Sequence, residues 1–396
     1  MPHARRRFVG RGRLLGAGPI EGPWAICATD GRLTHVGPLR DAPDADEEVD
    51  LGAALVTPGL VDAHTHPVFA GDRADEAAAR LAGEPYTGGG ILRTVAATRA
   101  ASDAELVTLV RGRLLAARDT GTTTIECKSG YGLSLEEELR ALRLIRRAAD
   151  GLGMRVVRTF LGAHAVPPDV SQADYVTAIV DEMLPAVASE ADACDVFCDA
   201  GFFSLADAER ILSAATAQGL GARLHAEQLA RTGAAELGVR LGATSVDHLE
   251  HLDAAGVAAL AGSSTVATLL PGPALLLRGD LPPARQLLDA GATLAIATDA
   301  NAGTWGAWSL ATSIGLAAIA LRMTVGEAVT AATAGGAAAL GLSNLCGSLH
   351  EGLAADLVAW DADHEGAFAL RLGEVRPLRV VIGGEDVTQA SVGGET

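Results

Sequence analysis

Apolar and polar positions change their rhythm twice along this 396-residue chain. The first stretch reads as short apolar segments broken by turns: Ala25-Ile26-Cys27-Ala28, then Asp30-Gly31, then Leu33-Thr34-His35-Val36-Gly37. Asp-Gly between two such segments signals a hairpin, because both residues tolerate the positive φ its tight turn needs. The last stretch behaves alike, with Asp356-Leu357-Val358-Ala359-Trp360-Asp361, then Leu378-Arg379-Val380-Val381-Ile382 and Gly383-Gly384. Between these ends, compact apolar runs alternate with longer segments of helical period. The runs cover 60–64, 123–127, 155–161, 195–198, 222–225, 245–248, 266–270 and 293–297. The segment from Leu135 to Ala149 typifies the helices, and its opening Glu136-Glu137-Glu138 suits the positive end of a helix dipole. Eight runs alternating with helices predict an α/β fold, a (β/α)8 TIM-type barrel. The β-rich ends predict a small β-sandwich domain composed of residues 1–57 and 345–396, with the barrel spanning 58–344.

Such barrels carry their chemistry at the carboxyl ends of the strands. Polar residues gather at those ends here: His64 and His66; Glu126, Lys128 and Tyr131; His164; Asp199; His225 and Gln228; His248; Asp299 and Asn301. His64-Thr65-His66 is the most informative group. Side chains alternate faces along a strand, so the two imidazoles project together, and imidazole suits zinc, iron and nickel. Two imidazoles alone hold a metal weakly. His225 and Asp299, each ending an apolar run, complete a set of three His and one Asp that leaves a position for water, whose pKa would fall to about 7. Taken singly, Asp299 reads as a helix cap or turn residue and each His as a polar surface residue; the constellation overrides those readings. His248, in Asp247-His248-Leu249-Glu250-His251, has the chemistry to move a proton or stabilise an oxyanion, against the blander reading of a buried His satisfied by backbone. His251 reads as structural, at the start of the next helix.

Composition narrows the partners. With 31 Lys plus Arg against 49 Asp plus Glu the formal charge is −18, which argues against nucleic acid or an anionic membrane surface. Hydrophobic residues at 49% and charged residues at 20% are globular values. Five scattered cysteines (Cys27, Cys127, Cys194, Cys198, Cys346) do not form a disulfide framework and fit a reducing cytoplasm. Cys194 and Cys198 share a strand face and read as core packing rather than metal ligands. No apolar run reaches the ~18 residues that span a bilayer. Met1-Pro-His-Ala-Arg-Arg-Arg-Phe is basic, but the apolar segment of a secretory signal does not follow it.

Pro58-Gly-Leu-Val-Asp-Ala-His64-Thr-His66 resembles the first-strand signature of the metal-dependent amidohydrolase superfamily. Longer strings resemble one family within it, the imidazolonepropionases of histidine degradation. They include His66-Pro-Val-Phe-Ala-Gly-Asp-Arg73, the Gly88-Gly-Gly90-Ile loop, Glu126-Cys-Lys-Ser-Gly-Tyr-Gly-Leu133 and Phe160-Leu-Gly-Ala-His164-Ala-Val-Pro. Others are Asp195-Val-Phe-Cys-Asp-Ala-Gly-Phe-Phe-Ser204, His225-Ala-Glu-Gln-Leu229 and Thr298-Asp-Ala-Asn-Ala-Gly-Thr304. The resemblance implies one zinc or iron ion on His64, His66, His225 and Asp299. It implies hydrolysis of a cyclic amide C–N bond, opening 4-imidazolone-5-propanoate to N-formimidoyl-L-glutamate. It also implies a substrate site lined by Arg73, Tyr131, His164, Gln228, Asn301, Gly303 and Thr304, with His248 or Asp299 taking the proton of the attacking water. Arg73 suits the propanoate because guanidinium binds carboxylate bidentately; without the motif it would read as a surface ion pair with Asp72 or Asp75. Tyr131 and His164 are donors for the ring carbonyl or the tail. A homodimer is common in such folds.

The chain departs from that family at two places. Members usually carry Asn-Pro-Gly where this chain has Asn301-Ala302-Gly303, and aromatic residues where it has Pro273-Ala-Leu-Leu-Leu277. Two other functions compete. A heterocycle deaminase of the same superfamily usually places Glu three residues after the fifth-strand His, where this chain has Gln228, with Glu227 one residue earlier on the opposite face. A non-catalytic amidohydrolase-fold scaffold typically loses metal ligands, and all four are present in this sequence.

Overall fold

The structure is a computed structural model and describes residues 5–83 and 90–388. Its centre is an eight-stranded parallel sheet taken in sequence order, one strand beside the next. The strands are Leu60–Asp62, Thr122–Lys128, Arg155–Ala163, Ala193–Cys198, Gly221–Ala226, Ser245–His248, Val266–Leu269 and Leu294–Ile296. Each lies at one of the eight apolar runs. Parallel strands covered by helices on one side and packed into a barrel on the other have no wet face, so they read as continuous apolar runs. Thr122–Lys128 and Ala193–Cys198 are accordingly buried along their whole length.

The barrel closes at a seam between its first and eighth strands. Thr65 and Ala300 form a single parallel bridge there. The Asp299 amide donates to His64 O at 2.9 Å and the His66 amide to Ala300 O at 3.0 Å. Just below, Asp62 accepts from the Thr298 amide at 3.0 Å and from Thr298 Oγ1 at 2.6 Å. Burial pushes the Asp62 carboxyl up to about 7, even against these bonds.

Helices return outside the barrel, and several start on a serine whose Oγ accepts from the third helical amide: Ser102, Ser134, Ser171 and Ser204. The helix Leu135–Ala149 spans the residues expected of it. Against one end of the barrel lie two four-stranded sheets. One is wholly N-terminal: Arg6–Gly10, Trp24–Thr29, Arg32–Pro38 and Glu47–Asp50. The other joins Leu55–Pro58 to Leu357–Trp360, Pro377–Ile382 and Glu385–Asp386. Phe8, Trp24, Ile26 and Leu33 from the first pack with Val56, Leu357 and Val381 from the second, a sandwich core separate from the barrel's. The Asp30-Gly31 hairpin has φ of +54° and +75°, as its residue types require. No helix among the described residues is long and apolar enough to cross a membrane.

Candidate active site

The strands deliver their terminal side chains to one mouth of the barrel, around a small cavity. Its walls are His66, Arg73, Ile91, Tyr131, His164, Phe197, His225, Gln228, His248, Asp299, Asn301 and Thr304. His64 lies beneath it, fully buried. Two of the expected site residues that end strands sit on left-handed backbone, His248 at φ +84° and Asp299 at φ +49°. Non-glycine residues there are uncommon and cost energy that the surrounding packing must offset.

The expected ligand atoms converge. His64 Nε2 is 3.2 Å from His66 Nε2, His66 Nε2 is 3.3 Å from Asp299 Oδ1, and His64 Nε2 is 3.7 Å from that same oxygen. Ligand atoms about 2.0–2.1 Å from a tetrahedral ion are about 3.4 Å apart, so these separations fit a cation at their centre. The His225 ring stands 4.5 Å from that of His64 and 5.5 Å from that of His66. Among the described residues three groups of ligand atoms, each within 4.8 Å, share His64: one adds His66 and Asp299, another His225 and His248, and the third Asp195 and Asp247.

Tautomers follow from the neighbours. Asp247 Oδ2 accepts from His64 Nδ1 at 2.7 Å, and Asp195 Oδ1 from His225 Nδ1 at 3.1 Å. With Nδ1 carrying the proton, each Nε2 keeps a lone pair for a metal. Burial, aided by Lys128 and the neighbouring His residues, pushes His64 well below the usual imidazole range, and burial also lowers His225. His248 goes the other way: burial opposes its charge, but Glu250, Asp299 and Asp247 outweigh it and raise its pKa. Burial likewise opposes the Asp299 carboxylate, yet His66, His248 and His225 hold its pKa down. Two neutral imidazoles beside one readily protonated His is the division of labour an acid–base site needs.

Arg73 is 3% exposed, and its Nε and Nη1 have no hydrogen-bond partner; Glu76 Oε2 lies 3.7 Å from Nη1. The neighbouring acids are committed elsewhere, Asp75 to Arg93 and Glu76 to Arg80. Two glycines flank the guanidinium. A methyl on Gly303 would overlap its Cζ and Nη2, and one on Gly90 would overlap Nη1. Gly303 therefore stands behind Arg73 and lines an adjacent cavity. The loop carrying Arg73 is fixed by Arg113, whose Nη1 donates to Pro67 O and Phe69 O at 2.7 Å each. Gly90 opens the helix Gly90–Ala100, while Gly88 and Gly89 lie outside the described residues.

His164 Nδ1 donates to Gly130 O at 2.9 Å, and burial beside His66 and His225 pushes its pKa well down. Its Nε2 is therefore an acceptor, not the donor expected from sequence. Tyr131 packs 5.2 Å from the His164 ring, on a loop whose Gly130, Gly132 and Leu133 amides donate to Glu138 at 2.8–2.9 Å. Asn301 lines the cavity but spends its amide on its own loop, accepting from Gly303 N and Thr304 N and donating to Asp299 Oδ1 at 3.1 Å. Gln228 is on the wall, its backbone N–H donating to Asp199 Oδ2 at 2.7 Å. Glu227, at φ +57°, turns away to accept from the Thr232, Gly233 and Ala235 amides. The deaminase reading would need a carboxylate on the cavity side just after His225, and the wall there carries Gln228 instead.

Three residues named at the strand ends sit elsewhere: Glu126 and Lys128 are buried below the mouth, and Asp199 caps the 228–230 turn. His251, read as structural, lies just before the helix Ala254–Ala261, 3.5 Å from Asp280. Sequence reasoning missed Ile91 and Phe197 on the wall, the orienting carboxylates Asp195 and Asp247, and Glu138. Asp247 had a signal, since a residue before a strand-end His faces the opposite way, yet its register opposite His225 shows only in the folded sheet.

The amidohydrolase family model matches residues 55–387. An imidazolonepropionase of Salinispora arenicola is 49% identical over 370 residues, covering 91% of this chain and 93% of its own. Another, of Caulobacter vibrioides, is 46% identical over 383 residues, covering 94% and 95%. Among solved structures, an adenosine deaminase from Xanthomonas campestris with bound zinc superposes at a TM-score of 0.74 with 20% identity, covering 96% of this chain and 92% of that one. That likeness speaks for the fold alone.

Proposed function

The chain belongs to the amidohydrolase family and, within it, to the imidazolonepropionases, and on that premise we propose how its residues divide the reaction. The enzyme hydrolyses the cyclic amide C–N bond of 4-imidazolone-5-propanoate, giving N-formimidoyl-L-glutamate. His64, His66, His225 and Asp299 hold one zinc or iron ion. When bound, the ion supplies Lewis acidity, polarising the ring carbonyl and making water acidic enough to attack at neutral pH.

The chain's own groups do the rest. Arg73 takes the propanoate: its unpartnered donors are buried between two glycines, and a carboxylate supplies what they lack. This is the observation that carries the substrate assignment. His164, with Nε2 as acceptor, receives the ring N–H, while Tyr131, Gln228 and Thr304 bound the ring. Asp299 and His248 flank the ring carbonyl carbon as alternative acceptors of the attacking water's proton. Water adds to that carbon, the bond to the ring nitrogen breaks, and protonated His248 delivers a proton to the departing nitrogen. No covalent nucleophile is required.

The direct test incubates the metal-loaded protein with imidazolonepropionate and follows loss of the ring's ultraviolet absorbance. Turnover to formimidoylglutamate is expected. A protein with one bound metal and no turnover overturns the substrate assignment.

A further inference from the structure

Below the cavity lies a layer of charge that the reaction does not touch. Glu126, Lys128, Asp195, Arg223 and Asp247 are all at most 1% exposed. Charges this deep are retained only when closely paired, and removing one partner of such a pair is strongly destabilising. Lys128 Nζ donates to Glu126 Oε1 at 2.8 Å and to Asp195 Oδ2 at 2.7 Å. Glu126 in turn accepts from the Thr65 amide at 3.1 Å, between His64 and His66. Asp195 accepts from His225 Nδ1. One hydrogen-bonded path thus runs across the barrel interior, from the strand end bearing two expected ligands, through Lys128, to the strand bearing the third.

We propose that Lys128 is a positioning residue for the metal, bracing Asp195 against His225 and thereby keeping His225 Nε2 aimed where His64, His66 and Asp299 converge. The inference rests on the assignment of those four residues as ligands. Without the ammonium, two buried carboxylates face each other with nothing between them, and Asp195 loses the donor that fixes its second oxygen. His225 Nδ1 then loses its acceptor. Burial opposes the charge on Lys128, yet Asp195 and Glu126 hold its pKa above the usual lysine range, so the brace stays charged. Arg223 Nη2 pairs with Asp247 at 3.3 Å behind His64, but it also donates to Ala63 O, and Nη1 donates to Ala339 O. Lys128, whose ammonium among the described residues bonds only to carboxylates, is the cleaner brace to test.

The experiment compares wild type, Lys128→Met and the double variant Glu126→Gln/Lys128→Met, whose buried layer keeps the wild-type net charge and so guards against misfolding. Zinc affinity of each folded apoprotein is measured by competition with a chromophoric chelator, and the visible spectrum of the cobalt(II) form reports ligand geometry. Removing an outer-shell partner typically weakens metal binding by about 10–100-fold, and a loss of that order with a shifted cobalt spectrum is expected in either variant. A folded variant with wild-type zinc affinity and an unchanged cobalt spectrum overturns the proposal. Wild type binding no metal would instead overturn the ligand assignment.

Discussion

Gly303→Ala tests the substrate assignment without replacing any side chain assigned to bond substrate or metal. The added methyl would overlap Cζ and Nη2 of Arg73, well inside van der Waals contact. Because Gly90 closes the opposite side, the guanidinium has no equivalent position to move to and must tilt out of its slot. A bidentate pair with the propanoate would then keep one of its two N–H···O bonds. A hydrogen bond to a charged group contributes about 1.5–3 kcal/mol, and that is the loss expected. At about 1.4 kcal/mol per tenfold, KM rises roughly 10–150-fold. The tail is remote from the scissile bond and is bound equally in ground and transition states, so kcat changes little. Steady-state kinetics on imidazolonepropionate, with metal content measured on the same preparation, reads all three quantities. An imidazolone lacking the propanoate should be turned over alike by both proteins. Wild-type KM for the full substrate in a folded Gly303→Ala protein would refute the reasoning.

Three further outcomes are expected. His248→Ala lowers kcat by about 10²–10⁴-fold with metal content unchanged, and full turnover in that variant removes His248 from proton transfer. Exhaustive chelation abolishes activity and lowers Tm by several degrees, since an ion present at about 1,000 times its Kd contributes about 4 kcal/mol; a Tm indifferent to chelator contradicts the ligand set. Glu327, bonded to Arg285 at 3.0 and 3.1 Å and capping the helix Val325–Thr330, has its pKa lowered to about 2. A depressed folded pKa gives stability that is full above the unfolded value near 4.3 and fades as pH falls toward 2. With the side chain about a third exposed, Glu327→Gln costs about 1 kcal/mol at pH 7, and its Tm deficit should shrink steadily when melting is repeated between pH 5 and pH 2.5.

The barrel was legible because parallel strands declare themselves as uninterrupted apolar runs, and the cavity residues because His and Asp end those runs. Depth was not legible. A period of two says that Glu126 and Lys128 share a face of their strand, but whether that face opens on the mouth or the sealed interior depends on strand tilt and stagger. Asp199 looked like a rim residue; it serves the backbone of a turn 30 residues on, a pairing no local pattern encodes. The run Glu136-Glu137-Glu138 was read as one electrostatic unit, yet only Glu138 turns inward to bind the loop that carries Tyr131. His164 was expected as a donor, and its direction reversed once Gly130 O claimed its proton.

The seam gives the metal a second consequence. His64, His66 and Asp299 are also the residues whose backbone joins the first barrel strand to the eighth. An ion held there is a ring-closing clasp whose loop contains almost the entire barrel. The entropy of closing a loop grows with its length, so a clip between distant positions constrains the unlinked chain most. Binding at the mouth would therefore resist fraying along the whole stave where the cylinder meets itself. Amide exchange at His66 and Asp299 would report that clasp opening and shutting.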